Sequence, residues 1–212
     1  MGATDQSGKK VVALLNDAGH ETVAASRGSG ADVLTGAGLA NAMAGADVLV
    51  DVTNSPSFED DPVMQFFTTS ATNLVAAAKE ARVGHFVLLS IVGADGLPES
   101  GYLRAKIAQE RIIAESGLPY TIVRATQFHE FTETITASMT GNGEVRVPDA
   151  LIQPIAADAV AAEVTRAAVT TPANGIVNVG GAGQAGVRRN GGTHHHHQQS
   201  VDIPDPFHLA AD

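Results

Sequence analysis

The sequence predicts an α/β protein with a Rossmann-like, doubly wound parallel sheet. Three observations carry this. Short apolar segments recur at 22–26, 47–53, 85–90 and 120–125, helix-like stretches separate them, and several of the segments end on small polar residues. Segments rich in Val, Ile and Leu on both sides of a two-residue period behave as buried parallel strands. Strand–helix alternation at this spacing marks βαβ units.

In chain order, the first helix is expected over 9–18, where Val11, Val12, Leu14 and Leu15 precede a C-cap glycine at Gly19. A second helix, over 61–81, follows Glu59, Asp60 and Asp61, acidic residues that suit a helix N-terminus. A third spans 102–116 and ends at Gly117. After Ala125 the rhythm changes: a helix is expected over 127–139, short strands over 144–148 and 151–155, a strong helix over 156–169 and a last strand over 175–179. This gives one nucleotide-type domain over 1–180, with small substrate-side elements at 126–156. Residues 181–212, with Gly191, Gly192 and four consecutive histidines at 194–197, read as a disordered low-complexity tail. Consecutive histidines without a supporting shell do not make a built metal site, so no metal is expected.

Composition narrows the function. Of 212 residues, 44% are hydrophobic and 17% charged, enough for a packed core. Thirteen basic residues face 23 acidic ones, a net charge of -10. Phosphate backbones and anionic membranes demand basic surface, so neither nucleic acid nor membrane is an expected partner. The absence of Cys excludes disulfides, thiol catalysis and Cys-based zinc sites. No run approaches the roughly 20 apolar residues of a membrane span, and MGATDQSGKK lacks the basic-then-apolar pattern of a secretory signal. The expectation is a cytoplasmic protein acting on a small molecule.

A doubly wound dinucleotide fold opens with a buried strand, then a Gly-rich turn, then a helix. Here the sheet is expected without that usual first strand, and Gly2, Thr4 and Gly8 occupy the place of the turn. Asp5 stands at the turn's middle glycine position, where a carboxylate would face a pyrophosphate and lack glycine's freedom at positive φ. A plain Gly-containing N-terminus is the alternative reading. Ser26 and Arg27 follow the 22–26 strand, where an Arg can accommodate a ribose 2′-phosphate; the alternative is a solvated loop residue. Thr53 and Asn54 end the next strand, as cofactor contacts or as a turn with an N-cap.

Tyr102 and Lys106 lie four apart on one helical face. An ammonium beside a phenol lowers its pKa and makes it a usable proton donor. Ser90 ends a strand twelve residues earlier, where a hydroxyl can orient a substrate oxygen. Each has an ordinary reading as a surface or strand-ending residue, but the three form a set more specific than its members. Gln127 and Phe128 follow the 120–125 strand and are candidates for substrate contact, with Phe128 as core the alternative.

The stretches GHETVAASR, GADVLVDVTNSPSFED, HFVLLSIVGADGLPESGYLRAKIAQERII, SGLPYTIVRATQFHEF and LIQPIAADAVAAEV together resemble the atypical short-chain dehydrogenase/reductases, specifically the bacterial NmrA-like NAD(P)-binding group. The likeness runs from about Gly8 to Gly180. It implies a Rossmann fold, NADP(H) as cofactor, and reduction of a small carbonyl or quinone-like substrate by hydride transfer. Arg27 then looks like the 2′-phosphate ligand, Ser90, Tyr102 and Lys106 like the Ser-Tyr-Lys set with Lys106 also on the ribose, and Gly2 and Gly8 like turn glycines. The rival expectations are a non-catalytic NADP(H)-sensing protein and an inactive truncated relative.

Overall fold

The computed structural model describes residues 1–129, 140–141, 144–145, 151–181 and 185–186. Its centre is a four-stranded, all-parallel sheet of β1 (Val48–Asp51), β2 (His85–Ile91), β3 (Tyr120–Ala125) and β7 (Gly175–Val179), in the order β1-β2-β3-β7. The register pairs Val50 with Val87, Val87 with Thr121, and Val123 with Val177. Helices α1 (Gln6–Asp17), α2 (Leu39–Ala42), α3 (Asp60–Ala81), α4 (Gly101–Ala114) and α5 (Ala157–Val169) surround it. Two-residue pairings complete the described elements: β4 (Thr140–Gly141) with β5 (Glu144–Val145), and β6 (Leu151–Ile152) with β8 (Ala185–Gly186).

The strands alternate their side chains between two cores, as the two-residue period requires. Phe86, Leu88 and Ile122 point to one face, where they meet Phe67 and Leu74 of α3 and Ala105 and Ile113 of α4. Val52, Val87, Val123 and Ala125 point to the other, against Val11 of α1 and Val160, Ala161 and Val164 of α5. A sheet buried on both faces needs apolar residues at both parities, and these strands have them. The acidic first turn of α3, Asp60 and Asp61, faces the positive end of its helix dipole as expected.

Three expectations change. Residues 22–26 form no strand: Ala25 accepts a bond from the Ala3 amide (3.3 Å), and among the described residues no ladder pairs with the segment. Helix α1 begins at Gln6, three residues early, because the Asp5 carbonyl already accepts from Lys9. Gln127 and Phe128 do not start a helix. They stay extended, with the Gln127 carbonyl accepting from the Ile155 amide (2.9 Å) and His129 donating back to Ile155 (3.0 Å). The rest of the helix expected over 127–139 lies outside the described residues. So does the tail, apart from Gly181 and the paired Ala185–Gly186.

Phe86 is fully buried between β1 and β3. Phe86→Ala is therefore expected to cost about 3–5 kcal/mol, read as a lower urea midpoint at unchanged m-value.

Candidate functional site

The C-terminal ends of parallel strands are where open α/β sheets gather their sites, and the candidate residues converge there. Gly2 adopts φ 78°, and a Cβ on it would press on the Val52 and Thr53 backbone at 3.0 Å. A Cβ at Gly8 would overlap the Gly2 carbonyl and the Ala3 Cα. Both positions thus demand glycine, one for backbone conformation and close approach, the other for helix-to-turn packing. Asp5 does not: its φ is -74°, so the expected strain at that position is absent. Its carboxylate makes no capping bond to α1, whose first amides are left without a side-chain acceptor. Thr4 is exposed in the turn.

Beside this turn, Thr53 Oγ1 is buried without a hydrogen-bond partner, although the Thr53 amide is bonded to Asp51 Oδ1 (3.0 Å). A buried orphan hydroxyl calls for a missing partner. The bond from Ala3 to Ala25 brings Ser26 and Arg27 to the other flank of the turn. Ser26 is buried and opens a short 3₁₀ turn, Arg27–Ser29. The Arg27 side chain is 70% exposed, with Asp32 at 3.5 Å. Its guanidinium retains donors for an anion. The cradle left by the two glycines, the free α1 amides and the orphan hydroxyl fit a dinucleotide's phosphates.

Asn54 and Tyr102 meet, as the Tyr102 hydroxyl donates to Asn54 Oδ1 at 2.6 Å. The Tyr102 ring packs edge-on against Phe67 (5.6 Å) and beside Phe58 (5.5 Å), whose own side is open to solvent. Burial pushes the Tyr102 hydroxyl up to about 12. The expected lowering by Lys106 is not what this geometry produces. Lys106 Nζ donates instead to the Leu89 carbonyl (3.0 Å) and to Gln109 Oε1 (2.5 Å), and sits 4.6 Å above the Phe67 ring. Burial lowers Lys106 to about 8, against the opposing pull of Asp51 and Glu110.

Ser90 is likewise turned inward, donating to Glu110 Oε1 at 2.5 Å. Glu110 takes two bonds from Arg124 (2.7 and 3.0 Å), and Arg124 reaches Asp95 at 3.2 Å. That contact holds the Asp95 carboxyl below the usual carboxylate range. Gln109 completes the array by donating to the buried Asp51 Oδ2 (3.0 Å). Ser90, Tyr102 and Lys106 therefore stand around one helix, with their polar atoms committed to separate partners. Sequence reasoning missed Asp51, Gln109, Glu110 and Arg124. The available signals were the 106, 109, 110 spacing on one helical face and the single charges inside VLVDV and YTIVRA. Gln127 is exposed at the end of β3, while Phe128 packs on the α1–α5 core. No acidic or histidine cluster able to hold a metal occurs among the described residues, and the 194–197 histidines lie outside them. No helix among the described residues is long and apolar enough to cross a membrane.

A family model described as NAD(P)H-binding matches residues 2–172. The chain is 32% identical over 181 residues to a (4-alkanoyl-5-oxo-2,5-dihydrofuran-3-yl)methyl phosphate reductase of Streptomyces griseus subsp. griseus, covering 76% of this chain and 61% of that one. It is 26% identical over 144 residues to the photosystem II assembly factor Ycf39 of Cyanophora paradoxa, covering 61% of this chain and 45% of that one. The chain thus spans about half to three-fifths of the length of these relatives. Among solved structures it resembles gox2253, with a TM-score of 0.69 at 21% identity over 88% of this chain and 70% of that one. It also resembles the Citrobacter sp. triphenylmethane reductase complexed with NADP(H), with a TM-score of 0.62 at 18% identity over 87% and 70%. At these identities the structural likeness shows the fold.

The folded protein releases the Lys106 proton near pH 8, whereas a free Lys does so near 10.5. In that window the unfolded chain binds more protons, so stability rises with pH. Urea titrations at several pH values are expected to show this rise between about pH 8 and 10, and Lys106→Met is expected to flatten it.

Proposed function

The chain belongs to the NAD(P)H-binding family, and from that premise we propose that it is an NADP(H)-dependent oxidoreductase that reduces a small carbonyl or quinone-like substrate. The observation that carries the reading is the Gly2–Gly8 cradle beside the orphan Thr53 hydroxyl, at the uncapped end of α1. Bound NADPH supplies a hydride. In this reading Gly2, Thr4 and Gly8 hold the pyrophosphate with the first amides of α1, and Thr53 donates its unused hydroxyl. Ser26 lies by the adenosine ribose, and Arg27 takes the 2′-phosphate, exchanging its loose contact with Asp32 for a doubly charged partner. Asn54 lies on the nicotinamide side, fixed by Tyr102.

Tyr102 is the proton donor. Burial, which pushes its hydroxyl up to about 12, makes it a weaker acid than an ordinary phenol, so the donation is driven by the negative charge that hydride transfer builds on the substrate oxygen, and the hydroxyl leaves Asn54 Oδ1 to make it. Lys106 and Ser90 act at this site by holding α4 against β2, and Lys106 can turn to the ribose only by leaving Gln109. Gln127, exposed past β3, lines the substrate side, and Phe128 backs it. The reductase activity of the Streptomyces griseus relative agrees with this class of chemistry. A second reading, an NADP(H) sensor without chemistry, draws on the commitment of Lys106 to Gln109 rather than to Tyr102.

Two variants test the cofactor site and the proton donor. Arg27→Ala is expected to weaken NADPH binding about 10- to 100-fold and to leave NADH binding unchanged, as befits loss of a charge-assisted contact. Tyr102→Phe is expected to retain NADPH binding and lower turnover in a carbonyl and quinone screen at least about 100-fold. NADPH binding without substrate-dependent oxidation in the unmodified chain would favour the sensor.

A further inference from the structure

Phe58 is 73% exposed. The other described phenylalanines are covered: Phe66, Phe67 and Phe86 are buried, and Phe128 is half-buried. A single exposed apolar side chain is ordinary on a protein surface. This one, however, lies against the candidate proton donor. Its ring centroid is 5.5 Å from that of Tyr102, at an interplanar angle of 31°. Phe67 meets the Tyr102 ring edge-on, at 5.6 Å and 88°. Tyr102 thus has one buried aromatic neighbour and one that faces water.

The surrounding chain holds Phe58 in this place. In the loop from β1 to α3, residues 52–59, the Ser57 amide donates to Ser55 Oγ and the Glu59 amide to Ser57 Oγ, each at 3.2 Å. Asn54 of the same loop accepts from the Tyr102 hydroxyl (2.6 Å). One loop therefore grips Tyr102 twice, at the hydroxyl through Asn54 and at the ring through Phe58. Arg104 ties this region to the next loop, donating to Asp60 Oδ2 and to the Pro98 carbonyl, both at 2.6 Å. That second loop follows β2, the parallel neighbour of β1, and carries Leu97, which is 57% exposed. Two uncovered apolar side chains thus belong to the loops that leave adjacent strand ends, where open sheets gather their sites. Exposed acids flank them in sequence: Glu59, Asp61 and Glu99.

We propose that Phe58 is a specificity-determining residue, whose open face stacks a flat, uncharged, unsaturated ring of the substrate and so brings that ring's oxygen to the Tyr102 hydroxyl. The proposal rests on the reading of Tyr102 as the proton donor and gives that site its substrate class. Aromatic rings favour offset or tilted contacts at about 4.5–7 Å between centroids, which are worth more than the area they bury. A saturated ring of the same skeleton is puckered and has no π face, so it gains the burial without the stacking. A carboxylate or phosphate on the ring would approach Glu59, Asp61 and Glu99 and be disfavoured by like charge. The loop that fixes the donor thereby also selects what is presented to it.

The test titrates the full chain by calorimetry with 2-naphthol and with its saturated counterpart, decahydro-2-naphthol, first without cofactor and then with NADPH present. Saturable binding of 2-naphthol is expected, about threefold to tenfold tighter than that of the saturated ring. Phe58→Leu keeps an apolar side chain at an exposed position and is expected to abolish this preference, whereas Phe58→Tyr keeps a ring and is expected to retain it. 2-Naphthoate is expected to bind more weakly than 2-naphthol. The proposal is overturned by a folded chain that shows no saturable 2-naphthol binding, by a preference that survives Phe58→Leu, or by tighter binding of 2-naphthoate. A Phe58→Leu variant that loses NADPH affinity as much as 2-naphthol affinity would place the ring on the cofactor and overturn it too. A chain that shows the Phe58-dependent preference but binds no NADPH would support the aromatic site and remove the reductase reading, so the two failures are told apart.

Discussion

Gly8 carries no side chain, and that fact sets the position of everything around the candidate site. A Cβ there would overlap the Gly2–Ala3 backbone. Without one, α1 can lie directly on the turn, and its unpaired amides open beside Thr53 at the end of β1. Gly2, held at positive φ against Val52 and Thr53, fixes the other half of the contact. The dipole of α1 and its free N–H groups then converge on the space where phosphate oxygens are best accommodated. The separation of Ser26 and Arg27 from β1 follows from the same turn, because Ala3 ties segment 22–25 to it.

A second constraint lies beneath the turn. Part of the buried face of α4 is polar, with Lys106, Gln109 and Glu110 all under 6% exposed. Removing such groups from water is costly unless each has a partner. Here Asp51 answers Gln109, the Leu89 carbonyl answers Lys106, and Arg124 answers Glu110. The array ties α4 to β1, β2 and β3 at one level, near their C-terminal ends. Tyr102, one turn before Lys106, is thereby held at the mouth, with its hydroxyl on Asn54. A rigid polar floor of this type specifies one arrangement of helix on sheet more sharply than apolar packing does.

Much of the fold was legible because it rests on periodicity. Strands at 85–90 and 120–125 and helices at 61–81 and 156–169 stand within a residue or two of where their apolar patterns put them. Segment 22–26 has the composition of a strand but joins no ladder among the described residues, and pairing is a property of the whole sheet. The glycine positions were legible, since the structure needs no side chain at Gly2 or Gly8. The strain expected at Asp5 does not arise because its conformation depends on where α1 starts, which the motif spacing did not reveal. The polar floor was missed for a similar reason. Residues 51, 106, 109, 110 and 124 are far apart in sequence and acquire meaning only when the strands are in register. Tyr102 and Lys106 share a helical face as their spacing requires, yet the partners that set their protonation come from β1 and β2.

The central claim is that the Gly2–Gly8 cradle holds a dinucleotide. Calorimetric titration of NADPH into the chain and into Gly8→Ala, each checked for native circular dichroism, tests it directly. The account predicts one saturable site in the unmodified chain and its loss, or a weakening of about 100-fold or more, when the added methyl forces α1 off the turn. A folded chain that binds no NADPH, or a Gly8→Ala variant that binds it equally well, would contradict the account.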